Sequence, residues 1–141
     1  VAHDSYKPAL LALARDYEAA LSSCQIVSTE NTGHMLRAHT KLTAQHLVES
    51  GPLGGDLQIA SQIVEGLIDA LVFLCDATQT HPHQNDINAL LRISTLYDIP
   101  LATNVSTARL VLDNCLVDAR TIETHQPARD ATNTTSEETI H

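Results

Sequence analysis

The sequence predicts one α/β domain built on a mostly parallel sheet with helices on both faces, in the doubly wound, Rossmann-type arrangement. Three observations predict it. Apolar runs rich in β-branched residues alternate along the chain with stretches of helical periodicity. The connections between them are short, the pattern of parallel strands joined through covering helices. The polar segments "SGPLGGD" and "DATQTHPHQND" fall where such strands end, which is where sheets of this kind hold their ligands. A chain of 141 residues suits one domain and buries well over half of the surface it exposes when unfolded.

Taken in order, "VAHD" (1–4) reads as the end of a buried strand. "KPALLALARDYEAAL" (7–21) reads as a helix, with Asp4 or Ser5 as its cap and Pro8 in the first turn, where a missing N–H costs nothing. "CQIVST" (24–29) is a strand, "GHMLRAH" (33–39) a helix and "AQHLVES" (44–50) a strand. "GDLQIASQIVEGL" (55–67) is a helix and "DALVFLCD" (69–76) a strand. "NDINALLRISTLYD" (85–98), "IPLATN" (99–104) and "STARLVLDN" (106–114) complete the alternation as helix, strand and helix. The remainder is polar and poor in apolar residues, so the domain is placed at 1–117 and a disordered tail at 118–141.

Composition narrows the function. Hydrophobic residues make up 43% and charged residues 18%, ordinary for a globular protein, and no apolar run approaches the roughly 18 residues of a membrane span. No membrane partner is expected. Nothing at the N-terminus resembles an export signal, and Cys24, Cys75 and Cys115 are odd in number and form no CxxC pair. They read as reduced thiols of a cytoplasmic protein. A formal net charge of −9, with no stripe of Lys and Arg, argues against nucleic acid. An anionic ligand would then need a local device that overcomes the overall repulsion.

Four strand-to-helix junctions carry candidate chemistry. Residues 48–66 hold four of the five glycines, and Gly54 and Gly55 stand directly before Asp56. Glycines at a helix start expose N–H groups to an anion; equally, Asp56 is an ordinary helix cap after a turn. "HPHQND" brings His81, His83 and Asp86 close behind Asp76. A histidine beside carboxylates suits proton transfer or electrophilic assistance, a metal site is the rival reading, and a polar loop with Asp86 capping the next helix is the plain one. "AHDSYK" offers His3, Asp4 and Lys7, whose ammonium suits a phosphate, although a lysine on a first turn is usually solvated. "STENTG" offers Ser28, Thr29, Asn31 and Thr32, which form either a phosphate cradle or ordinary caps.

Together, "VAHD" with Lys7, "ST" followed by "TG", "SGPLGGD", "CDATQTHPHQNDINALLR" and "PLATNVSTA" resemble the methylglyoxal synthase family over nearly the whole chain up to about residue 114. The resemblance implies a cytoplasmic homo-oligomer, usually a hexamer. It further implies a carbon–oxygen lyase converting dihydroxyacetone phosphate to methylglyoxal and inorganic phosphate through an enediolate, without metal or organic cofactor. By the same resemblance Asp56 matches the base, His83 the histidine at the substrate's oxygens, and Asp76 and Asp86 the supporting acids. His3, Lys7, Thr29, Thr32, Ser50 and Gly51 match the substrate and phosphate contacts. The chain departs from the family where T-G-T-T-G becomes T-E-N-T-G, placing Glu30 and Asn31 in the cradle. A carboxylate about 5 Å from a phosphate costs roughly 3 kcal/mol at an effective dielectric near 20, unless it turns outward. A non-catalytic small-anion-binding regulatory module of the same fold is therefore the alternative, as is a site retuned by Glu30 to a less charged ligand. Arg120 and Arg129 are the basic residues available where the family has a C-terminal phosphate contact.

Overall fold

The protein's structure, a computed structural model, describes residues 1–122, with the side chains of the last helix described as far as Leu116. A 3₁₀ turn at Asp4–Tyr6 leads into α1 (Lys7–Asp16) and α2 (Glu18–Leu21). Then come β1 (Val27–Thr29), α3 (Glu30–His39), β2 (His46–Val48), a second 3₁₀ turn at Gly51–Leu53 and α4 (Gly55–Val64). The chain continues through β3 (Leu71–Val72), α5 (Gln84–Leu96), β4 (Leu101–Ala102) and α6 (Val105–Ile122).

Every strand pairing among the described residues is parallel. β1 lies beside β2, with Val27 opposite His46 and Thr29 opposite Val48, and β3 lies beside β4. Ala2 adds a parallel bridge to Leu74 on the other side of β3. Among the described residues the pairing forms two short ladders where the sequence suggests one sheet, because Val1–His3 bonds to the Val72–Leu74 edge as an isolated bridge and not as a strand. Backbone bonding nevertheless runs past β3, from the Phe73 N–H to the Ala102 carbonyl at 2.8 Å and from the Cys75 N–H to the Thr103 carbonyl at 3.2 Å. This leaves Asp76 just beyond the bonded end.

Period-two alternation along residues 71–74 places helices on both faces. Leu71 and Phe73 pack with Ile59, Ile63, Ile87 and Leu90 from α4 and α5, while Leu74 packs with Leu10, Leu13 and Ala108 from α1 and α6. Full burial of one such side chain contributes about 1.5–3 kcal/mol. The two clusters clamp the strands from opposite sides and hold their ends in place.

Several boundaries differ from the sequence reading for identifiable reasons. α3 begins at Glu30, three residues ahead of Gly33. Gly33 is not a helix opener; its missing Cβ lets Leu47 and the Ser28 hydroxyl pack against the helix. The stretch 7–21 is two helices, because Tyr17 leaves helical dihedrals at φ −108°, ψ 12° and its hydroxyl donates to Asp113 Oδ1 of α6 at 2.6 Å. α6 continues across the 117/118 boundary to Ile122, so that Arg120 lies within a helix; Arg129 and the rest of the expected tail lie outside the described residues. Among the described residues no helix is long and apolar enough to cross a membrane.

Candidate active site

Four helix starts converge on one cavity of about 360 Å³. Lys7 comes from the first turn of α1, Asn31 and Thr32 from that of α3, Asp56 from that of α4, and His83 is the residue capping α5. Each start turns the positive end of its helix dipole toward the cavity, which favours an anion although the whole chain is negative. His3, Thr29, Ser50 and Gly51 also line it, with Ser5, Gln79 and His81, which do not figure among the residues the family resemblance matches.

Gly54 closes the turn before α4 at φ +93°, a left-handed conformation that glycine adopts without steric cost. The turn sinks Asp56 into the wall, where it is only 1% exposed. Asp56 Oδ2 lies 2.8 Å from His83 Nδ1, whereas Asp56 Oδ1 is buried without a hydrogen-bond partner among the described residues. A Cβ at position 51 would stand 2.8 Å from His83 Cε1 and 3.2 Å from Asp56 Oδ2. Gly51 is thus the space that the pair occupies.

His3 is buried, and its Nδ1 accepts the Asp76 backbone N–H at 2.7 Å. With Nδ1 an acceptor, neutral His3 carries its proton on Nε2, which has no partner among the described residues. Burial, and then the His81 and His83 rings beside it, push the His3 pKa below its ordinary value and favour that neutral form. The Asp76 carboxylate accepts from the Ser5 hydroxyl at 2.7 Å and from the Thr78 hydroxyl and N–H at 2.6 and 2.9 Å. These bonds, the Thr78 hydroxyl first, lower its pKa from 3.8 to about 2. Asp76 remains ionised in the folded protein where an unfolded chain would already bind a proton. Its stabilising contribution is complete above the unfolded value of 3.8 and is lost as pH falls toward about 2. Urea unfolding across that window should show stability falling with pH in the parent and a shallower fall in Asp76→Asn.

The cradle and its neighbours are resolved in the same way. The hydroxyls of Thr29 and Thr32 are 3.2 Å apart and buried. Glu30 does not line the cavity; its side chain is 53% exposed and lies 3.6 Å from His34 Nε2 one turn along α3. Lys7 lines the cavity with its ammonium 2.6 Å from the exposed Asp4 carboxylate. Neither Asp76 nor Asp86 lines it: Asp76 acts on His3 from behind, and Asp86 stands in the first turn of α5, its N–H donating to the His83 carbonyl at 3.0 Å. The signal for Ser5 and Thr78 was available in the chain, since Asp76-Ala-Thr78 has the spacing of an Asx turn and Ser5 belongs to "AHDSYK".

The chain is similar to several known proteins. A model of the MGS-like domain family matches residues 9–103. A methylglyoxal synthase of Burkholderia multivorans is 43% identical over 123 residues, covering 87% of this chain and 92% of that one. Those of Burkholderia cenocepacia and Burkholderia vietnamiensis are 44% identical over 114 residues, covering 81% of this chain and 87% of each. The crystal structure of a methylglyoxal synthase from Elizabethkingia anophelis matches with a TM-score of 0.74 and 31% identity, over 79% of this chain and 73% of that one.

Proposed function

The chain belongs to the MGS-like domain family, and we propose that it is a carbon–oxygen lyase converting dihydroxyacetone phosphate to methylglyoxal and inorganic phosphate. The observation that carries the reading is Asp56: a buried carboxylate with one oxygen held by His83 and the other without a partner among the described residues, in the wall of a cavity ringed by helix starts. Asp56 Oδ1 takes a proton from the hydroxymethyl carbon. The negative charge moves onto the substrate's oxygens, where the His83 ring and the Nε2–H of neutral His3 stabilise it as an enediolate. The bond from carbon to the ester oxygen then breaks with its electron pair leaving on phosphate. The product is the enol of methylglyoxal, which takes a proton at carbon and gives up its hydroxyl proton to become methylglyoxal.

The phosphate rests on Thr29, Asn31 and Thr32 at the start of α3 and on Ser50 and Gly51, with Lys7 exchanging Asp4 for it. The catalytic steps use side chains and helix starts alone, with no cofactor. Exposed Leu53, Leu67, Leu96 and Leu110 supply apolar surface for a homo-oligomer, a hexamer by family resemblance, and the cytoplasm is the proposed location. The test is release of phosphate from dihydroxyacetone phosphate by the purified chain with methylglyoxal trapped; saturable phosphate binding without turnover would establish the anion-binding module instead.

Glu30, the residue that favoured that module, points away from the cradle. Its exposed carboxylate is screened by water and paired with His34, so the cost expected of a facing carboxylate does not arise. Glu30→Gln should change the KM for dihydroxyacetone phosphate by less than about threefold, against the more than hundredfold that roughly 3 kcal/mol represents. A hundredfold fall in KM would show that Glu30 faces the phosphate.

A further inference from the structure

We propose that His81, which the family resemblance leaves without a role, is a positioning residue that keeps His3 neutral with its proton on Nε2. The inference rests on the reaction proposed above only for the meaning of that proton, which is donated to the substrate.

The geometry is a stacked pair. The His3 and His81 rings lie face to face, with centroids 3.8 Å apart and planes inclined by 25°. The Phe73 and His3 rings meet in a T-shaped contact with centroids 5.2 Å apart, so His3 touches both an apolar ring and a second imidazole. Both Nε2 atoms are buried without a partner among the described residues, and both residues line the cavity.

Two rings in such contact do not both take a proton readily, because two imidazolium charges would face each other. On His3 a second feature opposes the charge. His3 can add a proton only at Nδ1, and Nδ1 already accepts the Asp76 N–H at 2.7 Å. Protonation there would set two donors against each other. Among the described residues His81 has no such bond; it is half-buried where His3 is buried, and the exposed carboxylate of Asp4 is within electrostatic reach. A charge on the stacked His81 ring therefore opposes one on His3.

The other charged groups around His3 do not reverse this opposition. His83, 6.4 Å away, adds to the opposition; Asp56 is engaged with His83, Asp76 with Ser5 and Thr78, and Asp4 with Lys7. The lowered pKa of His3, caused first by burial and next by His81, agrees with it. His81 thus extends the pH range over which His3 is a neutral donor, toward acid.

The test is titration of the His3 ring by nitrogen–proton correlation NMR on the full chain, beside the pH profile of kcat/KM. His81→Phe keeps a flat ring but removes the second charge and offers His3 an aromatic face that favours a cation. We expect the His3 midpoint to rise by at least about half a unit and the acid limb of kcat/KM to move with it, a loss of about threefold on that limb. His81→Ala should move both the same way. A His3 midpoint unmoved or lowered in His81→Phe would overturn the proposal. Because the ring titration is read without substrate, failure of the parent to turn over dihydroxyacetone phosphate would sink the proposed reaction and leave this result standing.

Discussion

Asp56→Asn should leave a folded protein whose kcat for phosphate release has fallen by about 10³-fold or more. Asn keeps the shape and keeps an oxygen that accepts from His83 Nδ1, now 2.8 Å from Asp56 Oδ2, so the buried contact survives. It cannot take a proton from carbon. A positioned base contributes about 10²–10⁴-fold, and here its loss also removes the ion that orients His83. Affinity for inorganic phosphate gives the control, because removing a buried negative charge beside an anion should leave binding unchanged or tighten it. Lost turnover with retained phosphate binding and an unchanged thermal midpoint identifies Asp56 as the base. Turnover within tenfold of the parent would exclude that role, and lost phosphate binding would mean that Asp56 shapes the cradle instead.

How far such a site can be read from sequence depends on where its information resides. The Asp56–His83 contact joins two local motifs that are each legible, "SGPLGGD" and "HPHQND", and the parallel alternation of strands and helices brings both to the same edge. The part played by Asp76 was not legible, since its decisive group toward His3 is a backbone N–H, 73 residues away, and a sequence displays carboxylates, not amides. Glu30 shows a different limit. Its place in "TENTG" put it in the cradle, but direction is set by the helix beginning at Glu30 and by His34 four residues on, an i,i+4 partner that the sequence did contain. The strands were overextended for a related reason: an apolar run records burial, whereas ladder length depends on the partner, and β4 offers β3 only Leu101 and Ala102.

The largest loss of stability should come from a single methyl group at the start of α4. A Cβ on Gly55 would run into the Glu49 carbonyl oxygen and stand 2.8 Å from the Glu49 carbonyl carbon and 3.1 Å from that of Ser50. These are backbone atoms, so no side chain can swing aside. The chain there is also fixed by the Gly55 N–H bond to the Ser50 carbonyl at 3.0 Å, and the helix behind it carries Ile59 and Ile63, each 1% exposed in the core. Relief therefore requires shifting either the helix or the strand exit, and we expect Gly55→Ala to cost about 3 kcal/mol, near the upper end for overpacking. For a domain of this size that lowers the thermal midpoint by about 10 °C. Gly54→Ala separates this steric effect from backbone strain, because position 54 has φ +93° but open space around its Cβ, and its cost should stay near 1–2 kcal/mol. Asp56 is the next residue on the displaced helix, so Gly55→Ala should also lose most of its activity at temperatures where it remains folded. A Gly55→Ala protein as stable as the parent would mean that the strand exit and helix start are not packed as closely as the structure has them, and the placement of Asp56 against His83 would fall with that packing.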